Sequence, residues 1–133
     1  MTDSFATFKE SHCRCSKDPT FLELFYEKFL SSSDKVRQKF AGTDMSRQKK
    51  ALEQSLRMVV MSSRGSDAAE AYLDYIASRH GSKDLDIEPE LYELWLDALI
   101  ETVSELDPDY SNTVEMAWRD TMHYAIDYMV SRY

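Results

Sequence analysis

A chain of 133 residues with a formal charge of −8 is long enough for one domain with a substantial core, and it lacks the basic surface that phosphate backbones or anionic membranes require of a partner. Hydrophobic residues make up 43% with only three glycines and three prolines, and alternating β-branched runs are absent, so an all-α domain is expected. No apolar run approaches the roughly 20 residues of a membrane span or opens the chain like a signal, which leads to the expectation of a soluble, cytoplasmic protein.

The first helix is expected over residues 1–16, with Ser4 as its cap and Phe5 and Phe8 on one side. His12, Cys13 and Cys15 follow as a surface corner. A C-x-C pair without a second cysteine pair is weak evidence for a metal, and slow oxidation is the chemistry expected there. Asp18-Pro19 then starts a second helix, acid at the cap and proline in the first turn. Phe21, Leu22, Phe25, Tyr26, Phe29 and Leu30 give it a wide apolar face.

Ser33 is placed to cap a short helix running to Phe40, after which Ala41-Gly42-Thr43-Asp44 makes a tight connection. The next helix opens at Thr43 or Asp44, with Gln48, Leu52, Ser55, Leu56 and Val59 sharing one side. Arg47, Lys49, Lys50, Glu53 and Arg57 project mostly elsewhere. Gly65-Ser66-Asp67 interrupts the chain.

Beyond that break, Ala69, Tyr72, Leu73, Ile76 and His80 recur at helical period, and Gly81 supplies the left-handed residue that ends a helix. His80 thus faces the same way as the apolar residues. Taken alone, this pattern fits a histidine satisfied by a backbone carbonyl better than it fits a metal ligand. Imidazole is nonetheless the commonest metal-binding side chain, and it is the proximal ligand of haem in globins.

Residues 82–88 read as a loop. Pro89 starts a helix bearing Tyr92, Trp95, Leu96, Leu99 and Val103, which Asp107-Pro108-Asp109 stops. Asn112 with Glu115 three residues later reads as a capping box. The last helix then turns Val114, Trp118, Thr121, Met122, Ala125 and Met129 inward. His123 falls beside Arg119 and Asp127, a surface position. The expectation is about seven helices in one unit spanning 1–133.

With Phe25-Tyr26-Glu27-Lys28-Phe29, then Phe40, Gln48, Leu52, His80, Tyr92 and Trp118 in this order and spacing, the chain resembles the single-domain bacterial globins. It is similar to the haem domains of flavohaemoglobins and globin-coupled sensors. The resemblance covers nearly everything after residue 17. It implies a globin fold around haem b, with His80 as the proximal iron ligand and Ile76 and Tyr92 on that same side. It also implies that Phe40 packs on the porphyrin, that Tyr26 and Gln48 line the gas-binding side, and that Leu52 crowds the bound gas. The chemistry suits each type: apolar side chains bind the disc and exclude water, while a phenol and an amide donate hydrogen bonds to a polarised ligand.

The implied function is reversible binding of dioxygen, NO and CO, with tight rather than easily released oxygen. NO turnover with a separate reductase and gas sensing toward a partner protein stay open, as does a homodimer through the last two helices. A haem-free helical adaptor is the remaining reading. In flavohaemoglobins a glutamate late in the last helix joins the proximal histidine and tyrosine, whereas counting from Trp118 that place is held here by Tyr133. The strong proximal electron donation of that family is therefore not carried over. No flavin or nicotinamide domain is expected within the chain, and Arg47 and Lys50 are open either to haem propionates or to plain charge balance.

Overall fold

The computed structural model describes residues 4–61, 71 and 89–131. Among these residues there are six helices and no strand: α1 (Ser4–Ser16), α2 (Phe21–Ser31), α3 (Asp34–Lys39), α4 (Met45–Met61), α5 (Pro89–Leu106) and α6 (Asn112–Ser131). The expected histidine-bearing helix, with Ile76 and His80, lies outside the described residues. No described helix is long and apolar enough to cross a membrane.

The apolar stripes dictate the packing. Phe21, Phe25, Tyr26 and Phe29 are buried on α2, and Leu96, Leu99 and Val103 are fully buried on α5. These two faces meet, so that α2 lies chiefly against α5. Helix α6 buries Val114, Trp118, Thr121, Met122 and Ala125, the side anticipated from spacing, against α1 and α5. Trp118 is the largest fully buried side chain, and the edge of Phe8 meets it at 4.8 Å and 82°, a favoured aromatic geometry.

Where α4 is concerned the inward stripe is thinner. Only Leu52 and Leu56 are fully within the core, with Gln48, Ser55 and Val59 half-buried beside them. Its described packing is chiefly against α2.

Helix starts differ in detail from expectation. Asp18 does not cap α2 directly. Its Oδ1 accepts from the Thr20 N–H at 2.8 Å and the Thr20 hydroxyl at 2.6 Å, closing a turn that delays the helix to Phe21. For α6 the cap is Ser111, one residue before the expected Asn112. Its Oγ accepts from the Val114 N–H at 3.3 Å. Glu115 does not reach back in a capping box, because it takes the Tyr110 hydroxyl at 2.5 Å and the Arg119 guanidinium at 3.0 Å. Ser33 does cap α3, accepting from the Lys35 N–H at 3.1 Å.

Gly42 turns the chain between α3 and α4 with φ of 80°, in a turn closed by the Thr43 N–H on the Phe40 carbonyl at 3.0 Å. A Cβ there would meet nothing within 4 Å. Gly42→Ala is therefore expected to cost about 1–2 kcal/mol through backbone conformation alone. Urea titration checks this, and a loss below a few tenths would mean that the turn relaxes.

One buried polar network ties the first helix to the α5–α6 corner. The Asp107 carboxylate, with no exposed side-chain surface, accepts from the Ser11 hydroxyl at 2.5 Å and from Arg14 Nε at 2.6 Å. Arg14 Nη2 at 3.0 Å and the Asp109 N–H at 2.9 Å complete its shell. The Trp118 indole N–H donates to the same Ser11 oxygen at 2.9 Å. Burial alone would push the Asp107 carboxyl up, but Arg14, Ser11 and the Asp109 N–H together hold it below the usual carboxylate range.

Candidate functional site

Tyr26 reaches its place because the apolar period of α2 turns it inward beside Phe25, whose ring it meets edge-on at 4.9 Å. Phe40 closes the other side. Its ring lies 6.2 Å from Tyr26 and 5.8 Å from Phe29, at 71° in both cases. As the residue that ends α3 it is only half-buried, packed against the edge of the core.

The tyrosine hydroxyl then finds α4. Asp44 starts that helix, its Oδ1 accepting from the Ser46 N–H at 3.0 Å, and this sets Gln48 on the first turn facing α2. Gln48 Nε2 donates to the Tyr26 oxygen at 3.3 Å, and the Tyr26 hydroxyl donates to the Gln48 backbone carbonyl at 3.4 Å. Both contacts are longer than ordinary protein hydrogen bonds, which centre near 2.7–3.0 Å. The phenol is thus buried and oriented yet weakly satisfied.

Burial pushes the Tyr26 phenol up to about 12, with the Gln48 amide drawing it slightly the other way. It is a neutral hydrogen-bond donor throughout the physiological range. One turn beyond Gln48, Leu52 is 7% exposed and shares the same core. Tyr92, likewise buried, stands near the start of α5, the helix packed on α2.

The structure therefore brings Tyr26, Gln48 and Phe40 into one cluster and places Leu52 and Tyr92 in the core that surrounds it. His80 and Ile76 lie outside the described residues. Trp118 stands apart from this group, tied to Ser11 and Phe8.

Two corrections concern the other candidate ligands. His12, Cys13 and Cys15 belong to the last turns of α1 and do not form a corner after it. Cys15 is fully buried and its thiol is pushed up to about 12, first by burial and then by the Asp107 carboxylate, so slow oxidation there falls to exposed Cys13 alone. His12 is half-buried, its ring 6.1 Å from Phe8 and 6.3 Å from Trp118, and burial followed by the Arg57 charge lowers its pKa. No three His, Cys, Asp or Glu side chains among the described residues converge as a metal site. His123 lies at the surface as expected, with Nε2 3.6 Å from Glu93.

The described residues thus form an all-α layout in which a tyrosine of the second helix meets a glutamine of the fourth. No family model and no curated protein matches the chain. Among solved structures, a protein of Pseudomonas aeruginosa PAO1, described as structurally highly homologous to a human hemoglobin, is 39% identical. The two superpose with a TM-score of 0.93 over 98% of this chain and 98% of that one. The chain belongs to the single-domain bacterial globins.

Proposed function

We propose that this chain, as one globin domain over residues 1–133, binds haem b and reversibly takes dioxygen, NO or CO in the cytoplasm. In this reading His80 is the proximal ligand, with Ile76 and Tyr92 on its side. Tyr26, Gln48, Phe40 and Leu52 line the opposite side. The observation that carries it is the Tyr26 hydroxyl, buried and neutral but held by Gln48 at only 3.3–3.4 Å. A buried polar hydrogen is ordinarily well satisfied, so a loose one has capacity left for a better acceptor.

The described residues suit the prosthetic group. Phe40 is a half-buried aromatic beside Tyr26; Leu52 and Tyr92 add apolar side chains, and the neutral Tyr26 hydroxyl reaches from α2 toward α4. When bound, haem supplies the iron at which a diatomic gas is held. The chain's own work is to exclude water, to orient the phenol, and to keep its proton available for donation.

A hydrogen bond to a charge-bearing acceptor is worth about 1.5–3 kcal/mol, which corresponds to roughly tenfold to a hundredfold in residence time. Tyr26→Phe is accordingly expected to speed oxygen dissociation by about one order of magnitude, measured by stopped-flow displacement with CO. Gln48→Leu is expected to have the smaller effect, since its amide partly serves to seat the phenol. An unchanged rate in Tyr26→Phe would remove that residue from the gas side, and an inverted order would exchange the two roles.

Tight holding favours consumption of oxygen over its delivery. This supports turnover of NO with an external reductase as the second reading, and NO consumption assayed with and without a reductase separates it from binding alone or from signalling to a partner.

A further inference from the structure

The charge of this chain is unevenly spread. Between Asp34 and Arg57 seven basic residues stand against three acidic ones, in a protein whose formal charge is −8. Six basic side chains elsewhere or at the edges of this segment are each tied to a carboxylate: Arg14, Lys28, Lys35, Arg37, Arg57 and Arg119. The side chains of Arg47, Lys49 and Lys50 form no salt bridge or hydrogen bond among the described residues, although the chain carries 24 acidic residues. Arg47 and Lys50 are exposed and Lys49 is half-buried.

These three cations flank Gln48 on the first two turns of α4, where the one nearby acid is the Asp44 cap and the helix dipole disfavours positive charge. The local arrangement thus opposes helix stability and concentrates positive potential beside the residue that meets Tyr26. Continuing along the outward face, Lys50, Glu53, Gln54, Arg57 and Met58 line an open groove of about 370 Å³. The large exposed apolar side chains among the described residues, Met116 and Tyr124, are both on α6, so this patch has no exposed apolar anchor, Met58 in the groove being half-buried.

We propose that the Arg47–Lys50 face of α4, with Lys49 flanking Gln48 on its other side, is the docking surface for an acidic one-electron donor protein. Charge without an apolar anchor gives fast, electrostatically steered and short-lived encounters, the kind that electron delivery uses, and does not give a lasting complex. The inference rests on the haem-globin reading for the acceptor. With a flavin hydroquinone anion as donor, the flavin gives up one electron and becomes the neutral semiquinone while ferric iron becomes ferrous. No bond is made or broken.

The test uses an acidic flavodoxin as probe. Oxidised flavodoxin titrated into ¹⁵N-labelled protein is expected to shift amide resonances of residues 45–57 and to leave α6 unmoved. In stopped flow, flavodoxin hydroquinone is expected to reduce the ferric haem-loaded protein with a rate that falls as salt rises. The double variant Arg47→Glu/Lys50→Glu is expected to lower that rate at least tenfold at low ionic strength. The difference should vanish near about 1 M salt, where screening is short-ranged. Lys17→Glu, an exposed lysine of the α1–α2 connection, serves as the control and is expected to change the rate less than twofold.

Shifts that map to another face, or equal slowing by Lys17→Glu, would overturn the docking surface. So would shifts of equal size from duplex DNA or anionic vesicles at matched charge. Failure to take up haem would remove the haem-binding reading and leave the resonance map to judge the surface independently.

Discussion

Asp107→Ala is expected to remove about 3–5 kcal/mol of folding stability, a large share of the roughly 5–15 kcal/mol available to a domain. The cost follows from what the substitution strands. The buried carboxylate receives four donors, from Ser11, twice from Arg14, and from the Asp109 N–H, and two of these side chains belong to the helix at the other end of the chain. Deleting the acceptor takes from the Ser11 hydroxyl, fully buried and already accepting from Trp118, its strongest acceptor and leaves only the Cys15 sulfur beside it. Asp107→Asn keeps the shape but sets an amide against a guanidinium, and is expected to cost about 1.5–3 kcal/mol. Urea midpoints at unchanged slope measure both, and a loss under about 1 kcal/mol for the alanine variant would show that α1 is held by its apolar contacts alone.

The same carboxylate gives the stability a sign with pH. Its pKa in the folded chain lies below its unfolded value of about 3.9. Its contribution is therefore full above that unfolded value, and it declines as pH falls toward and through the lower folded value. Acid weakens the clamp. Arg14→Ala removes the principal group opposing burial, so the folded pKa rises and this part of the acid dependence flattens. Midpoints measured from pH 6 down to pH 3 distinguish the two profiles, and parallel curves would mean that Arg14 does not hold the charge.

The elements of the fold were readable because amphipathic period is a local property. Phe21, Phe25, Tyr26 and Phe29 announce their face within eleven residues of helix, and the inward set of α6 follows the same rule. Caps were less legible because several side chains compete for each helix start. Asp18 spends its oxygen on Thr20, and Glu115 is drawn to Tyr110 and Arg119. The Asp107 network could not be read from pattern at all, since Ser11 and Asp107 are 96 residues apart. The one hint was a serine at an inward position between Phe8 and Cys15, an apolar stripe with a hydroxyl in it. At the candidate site, the residue types and order identified Tyr26 and Gln48 through resemblance, while the loose 3.3–3.4 Å geometry between them emerges only when α2 and α4 are placed together.

His80→Ala is expected to abolish stoichiometric haem uptake, or to leave it dependent on added imidazole that occupies the vacated space. The chain has three histidines, and the other two are committed elsewhere. His12 packs on Phe8 and Trp118 at the α1–α6 contact, and His123 faces Glu93 at the surface of α6. Cysteine offers no better substitute by position: Cys13 and Cys15 both belong to the last turns of α1, Cys13 exposed and Cys15 buried beside Asp107. His12→Gln and His123→Gln are therefore expected to keep the absorption spectra of ferric, ferrous and CO-bound protein unchanged, while His80→Ala alters all three. Spectra of His80→Ala that match the parent would place the iron on another atom, and the gas-side roles of Tyr26 and Gln48 would have to be reassigned with it.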